Sequence, residues 1–69
     1  MVEIFKTNVH EVSIAEKLIA LLGMHFPGTK INFDMHDCDK ILRLEGENVK
    51  PEHVISIVIE HGFSCNILD

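Results

Sequence analysis

The chain has 69 residues, room for one domain over 1–69, and a domain this short hides only ~60% of its unfolded surface, so its core must be used well. A hydrophobic fraction of 46% argues against disorder, and a net charge of −5, with Arg43 the only arginine, argues against nucleic-acid backbones and anionic membranes. No apolar run approaches the ~20 residues of a bilayer span, no basic-then-apolar start marks a signal peptide, and Cys38 and Cys65 make no disulfide framework. The expectation is a cytoplasmic protein with reduced thiols.

Val2 to Thr7 is short and β-prone and predicts a first strand. Asn8-Val9-His10-Glu11 has the logic of a capping box, an Asn taking one orphan backbone N–H while a Glu three residues on reaches back to another. A helix is therefore expected from Glu11 to about His25, its stripe formed by Val12, Ala15, Ile19 and Leu22 and widened by Leu18 and Leu21. Phe26-Pro27-Gly28 should end it. Lys30 to His36 alternates as a half-buried strand, with Ile31, Phe33 and Met35 on one side. His36-Asp37-Cys38-Asp39 then reads as a polar turn into a strand from Lys40 to Glu45, completing a hairpin. Pro51 suits the first position of a second helix, buried through Val54, Ile57 and Val58, with His61 at its end and Gly62 stopping it. Phe63 to Leu68 is the last strand.

The order βαββαβ predicts a ferredoxin-like α+β sandwich, with a four-stranded antiparallel sheet ordered 4-1-3-2 and both helices on one face. Phe5, Ile41 and Leu68 are expected on the open face, with Ile4, Leu42 and Ile67 inward. Together with Ile55 and Ile59, which lie off the buried stripe of the second helix, they are candidates for a protein contact. Cys65 should face the core as a small hydrophobe. Opposite edge strands lie ~14 Å apart, too far for a Cys38–Cys65 disulfide, which needs Cα atoms within ~7 Å.

Three connections fall at one end of such a sheet and gather Asn8, His10, Glu11, His36, Asp37, Cys38 and His61. Of these, His10, His36, Cys38 and His61 are the candidate metal ligands, since zinc takes imidazole, thiolate and carboxylate in a tetrahedral set. No pair among them has C-x-x-C or H-x-x-x-H spacing, although His36 and Cys38 are placed for local chelation. His25 and His53 fall at the far end or on exposed helix surface and carry no predicted role. There is no nucleophile–base pair and no Gly-rich phosphate cradle, so no catalytic or cofactor-binding residue is assigned. Nucleic-acid binding through the sheet would need aromatic platforms, and Lys40 to Glu45 has none.

Lys6-Thr7-Asn8-Val9-His10-Glu11, Glu16-Lys17-Leu18, Pro27-Gly28, Ile31-Asn32-Phe33-Asp34-Met35 and Gly62-Phe63-Ser64-Cys65-Asn66-Ile67 occur in one order and spacing. Together, over nearly all of the chain, they resemble the heavy-metal-associated domain of copper chaperones and metal-pumping ATPases. The resemblance implies a ferredoxin-like fold and the docking of partners by the loop end. The family's M-x-C-x-x-C loop is missing: registered on Glu16-Lys17-Leu18, Asn8 and Glu11 stand where its thiolates would be, and Lys6 where it often has Met. Soft Cu(I) wants thiolate sulfur, and an amide and a carboxylate offer hard oxygen. The expectation is a non-catalytic interaction domain, for a protein partner or for self-association, without a cofactor. The alternatives are a transition-metal (Zn, Ni or Cu) binding or trafficking domain using His and Cys near the loop end, and, more weakly, a small-molecule sensing domain.

Overall fold

Alternating burial makes Val2–Thr7 strand β1, and the chain then winds into helix α1, Val12–His25. Strands β2, Lys30–Asp34, and β3, Ile41–Glu45, form the hairpin; helix α2, Pro51–Glu60, and strand β4, Cys65–Ile67, complete the chain. These elements are seen in a computed structural model that describes residues 1–36 and 38–68; Asp37, part of the expected polar turn, lies outside the described residues. The sheet runs β2-β3-β1-β4, which is 4-1-3-2 read from the other edge, and all three pairings are antiparallel. Among the described residues no helix is long and apolar enough to cross a membrane.

Both helices cover one sheet face. Phe5, Leu42 and Leu44 are fully buried there against Leu22 of α1 and Val54 and Val58 of α2, with Ile31 and Phe33 of β2 packed alongside. Burying each such side chain contributes about 1.5–3 kcal/mol. A domain's net stability is only about 5–15 kcal/mol, so this layer decides the fold. Ala15 and Leu18 join fully buried Val9 in a second cluster nearer the loop end.

Two expectations about facing are corrected. Phe5 is buried opposite Leu42, and Ile4 faces outward opposite Arg43. Val2 and Ile4 offered one apolar phase for β1 and Phe5 the other, and the large ring wins the place under the helices. On α1 the buried stripe is Ala15, Leu18 and Leu22; Val12 is 61% exposed and Ile19 half-buried.

The helix ends follow backbone chemistry. Phe26 N–H closes α1 on the Leu22 carbonyl. Thr29 N–H then reaches the Phe26 carbonyl across Pro27-Gly28. Gly28 lies at φ +81°, which fits a type II turn with Pro second and Gly third. At the end of α2, Gly62 N–H binds the Ile59 carbonyl at 2.9 Å and Phe63 N–H the Val58 carbonyl at 3.3 Å. With Gly62 at φ +89°, this is the paired bonding of a Schellman motif.

Candidate functional site

The β1–α1, β2–β3 and α2–β4 connections meet at one end of the sheet, where the sequence placed its candidate ligands. The chain entering this end stays extended well past β1. Burial alternates through Phe5, Thr7 and Val9, and Glu11 is itself extended at φ −109° and ψ 132°. Glu11, not Asn8, is therefore the residue that caps α1, and its side chain makes no capping bond. The expected box is not formed, because Asn8 lies too far back along an extended strand to reach the first turn.

Asn8 does something else. Its Oδ1 accepts the Ser64 N–H at 2.8 Å, tying the β1–α1 connection to the α2–β4 connection. Thr7, nearly fully buried, donates its hydroxyl to the Lys40 carbonyl at 2.7 Å and accepts the Val9 N–H at 3.3 Å. Lys40 sits at φ +48° and donates Nζ to the Met35 carbonyl at 3.0 Å. Lys6 and Asp39 form an ion pair at 3.6 Å between β1 and the hairpin. Beneath these ties Val9 is fully buried, packed with Ile14, Phe33, Met35 and Phe63. Val9, between Asn8 and Glu11, is thus a plug for the core. The sequence signal for Thr7 and Val9 was present as the continued alternation from Phe5, but the Asn-x-x-Glu spacing obscured it.

The four candidate ligands lie on separate pieces of this end. His10 is exposed before α1, His36 and Cys38 are exposed in the hairpin, and His61 caps α2. The His61 Nδ1 donates to the Ile57 carbonyl at 2.8 Å, which occupies that nitrogen. Among the described residues, no three His, Cys, Asp or Glu side chains form a group able to hold a metal ion. Cys65 is buried on β4, and burial pushes its thiol up to about 11.

The uncovered sheet face is the other feature a partner would meet. On β1 it carries Val2, Ile4 and Lys6; on β3, Ile41, Arg43 and Glu45; on β2, Lys30, Asn32 and Asp34; beside β1 on the other side, Asn66. Leu68 extends it, its N–H bound to the Ile4 carbonyl at 2.9 Å. Val2, Ile4 and Leu68 are 46%, 36% and 39% exposed. The charges are nearly balanced here, three basic against two acidic, with Arg43 and Glu45 paired at 3.3 Å. The chain as a whole carries six basic and eleven acidic residues.

Comparison of the chain with protein-family models, with curated proteins and with solved structures finds no match.

Proposed function

We propose that this chain is a ferredoxin-like domain of the heavy-metal-associated type that binds protein rather than soft metal, and that the partner is a second copy of itself. The observation that carries the reading is the uncovered sheet face. Val2, Ile4 and Leu68 are exposed side by side on it, and the charges of its described strand residues are nearly balanced although the chain is acidic. Two copies meeting face to face bury that apolar strip and keep the acidic surfaces outward. Basic Lys30 and Arg43 lie on the same face as acidic Asp34 and Glu45, so the face can complement itself across a two-fold axis.

The loop end supports the same reading from the other side. Asn8 is committed to Ser64, Thr7 to Lys40, and Val9 to the core, so this end is spent on holding three connections together. The domain acts by binding, not catalysis, and works in the cytoplasm. No face of a molecule measuring 27 × 24 × 19 Å greatly exceeds the ~800 Å² per partner of standard complexes, so the association is reversible.

Sedimentation equilibrium from micromolar to millimolar chain tests this. The expected result is a concentration-dependent dimer that Ile4→Glu abolishes while the thermal midpoint stays within a few degrees of the parent. A monomer throughout that range, or a dimer indifferent to Ile4→Glu, overturns the proposal.

A further inference from the structure

Strand β2 is an edge of the sheet, with a strand neighbour on its β3 side alone among the described residues. Its backbone groups divide by parity. Thr7 N–H binds the Lys40 carbonyl and Gly46 N–H the Met1 carbonyl, so the β1–β3 ladder is made by odd-numbered β1 residues and their even-numbered β3 partners. Ile41, Arg43 and Glu45 therefore turn their backbone toward β2, where they meet Asp34, Asn32 and Lys30. The N–H and C=O groups of Ile31 and Phe33 are left pointing out of the sheet. From this edge we infer that β2 pairs antiparallel with β2 of a second copy and joins two face-to-face dimers into a closed tetramer.

The strand is its own complement. It runs Lys30, Ile31, Asn32, Phe33, Asp34. Antiparallel pairing centred on Asn32 sets Lys30 opposite Asp34 of the copy and Asp34 opposite its Lys30. Ile31 and Phe33 then exchange N–H and C=O with Phe33 and Ile31 of the copy, the hydrogen-bonded positions that the outward backbone requires. Lys30, Asn32 and Asp34, all exposed, fall at the other positions, where Cα atoms approach to ~4.5 Å and side chains are closest. A slip by two residues sets each charge against Asn32 or beyond the strand. A slip by four sets Lys30 against Lys30 or Asp34 against Asp34, so charge selects one register. The next outward positions confine the ladder: Thr29 N–H is bound to the Phe26 carbonyl, and the Met35 carbonyl accepts Lys40 Nζ. Charges on an edge strand commonly repel further strands. One of each sign, placed symmetrically, matches this strand and few others.

One such contact is small. Two exposed ion pairs and a short ladder do not offset the freedom that two single chains lose on meeting. A face-to-face dimer carries two β2 edges, and a two-fold axis running across the strands sets both on one side. Two dimers then meet through two edges at once, and the second contact forms as an intramolecular step. The inference therefore rests on the face-to-face reading. Asp34 is prepared for the contact: one carboxylate oxygen already holds the His36 N–H at 3.1 Å, which orients the side chain and leaves the other oxygen for Lys30 of the copy.

Sedimentation equilibrium and amide hydrogen exchange are followed together from micromolar to millimolar chain at physiological salt. The expected result is a tetramer above the dimer, with exchange at the Ile31 and Phe33 amides slowing at least tenfold as the tetramer, not the dimer, accumulates. Lys30→Glu and Asp34→Lys should each stop at the dimer with both amides exchanging fast. An equimolar mixture of the two should restore the tetramer and the protection, because each chain supplies the charges the other lacks. Lys17→Glu, which changes the net charge as Lys30→Glu does but lies on the exposed surface of α1, should behave as the parent. A parent that stops at the dimer, amides that exchange at one rate throughout, or a mixture that restores nothing overturns the edge contact and leaves the face-to-face dimer standing. A parent that forms no dimer overturns the face-to-face reading, and the edge contact with it.

Discussion

Asn8 and Glu11 stand three apart and do unrelated work. Asn8 accepts the Ser64 N–H, and Glu11 caps α1 through its backbone alone. Asn8→Ala should therefore cost about 0.5–1 kcal/mol, the usual range for an exposed backbone-to-side-chain bond, and Asn8→Asp, which keeps the acceptor, much less. Glu11→Ala should stay within ~0.5 kcal/mol. Urea unfolding of the three variants checks this, since a working capping box would make both Ala substitutions cost about 1 kcal/mol. The two thiols differ as sharply. Cys38 is exposed and should react with a disulfide reagent at pH 8 in the native protein, whereas Cys65 should react only after unfolding. The Cys65 thiol is held neutral up to about 11 against an ordinary 9.0. As pH rises through that window the unfolded chain releases the proton while the folded one keeps it, so stability must fall; below it the group contributes no pH dependence. Thermal midpoints of the parent and Cys65→Ala at pH 8 and pH 10.5 test the sign: the parent should lose more between the two.

At the scale of elements, what was legible in the sequence was local backbone chemistry. Pro51 opens α2, Gly62 closes it, and Pro27-Gly28 turns the chain after α1, each because one residue type restricts or frees φ. The element order was legible because apolar periodicity switches between two and 3.6 residues. Boundaries failed wherever a side chain or a cap claimed the backbone first. Strand β2 stops at Asp34 rather than His36, where the Asp34 carboxylate takes the His36 N–H in a turn. Strand β3 begins at Ile41 rather than Lys40, which sits at φ +48°. Strand β4 begins at Cys65 rather than Phe63, whose N–H is already bound to Val58 in the Schellman motif. The ring contact between His25 and His53 left no trace in the sequence, because only the meeting of two helix ends brings them together. Two glycine substitutions should shift stability in opposite directions. Gly62→Ala forces a Cβ into the left-handed region and should cost about 1–2 kcal/mol. Gly23→Ala lies within α1, meets nothing within 4 Å, and should gain about 0.5–1 kcal/mol. Thermal unfolding of both variants reads the two signs in one experiment.

For the whole molecule, the net charge makes the proposed self-association depend on salt in a direction that tests the identity of the partner. Two chains of net charge −5, with centres roughly 20 Å apart, would repel by about 5 kcal/mol in water without screening. At 0.01 M salt the Debye length of ~30 Å leaves roughly half of that repulsion, and at 0.15 M a length of ~8 Å leaves under a tenth. Short-range pairs across the face, such as Arg43 with an acidic residue of the other copy, lose at most about 1 kcal/mol over the same change. Repulsion between the acidic outer surfaces therefore dominates, and the dimer should tighten by about tenfold from 0.01 to 0.15 M salt. Arg43→Glu turns the face from three basic and two acidic residues to two and three, so it should weaken the dimer most at low salt. Sedimentation equilibrium at the two ionic strengths gives both numbers. A complex that loosens as salt rises is held by attraction between opposite charges, the behaviour of a basic partner on the acidic surfaces and not of a second copy on the uncovered sheet.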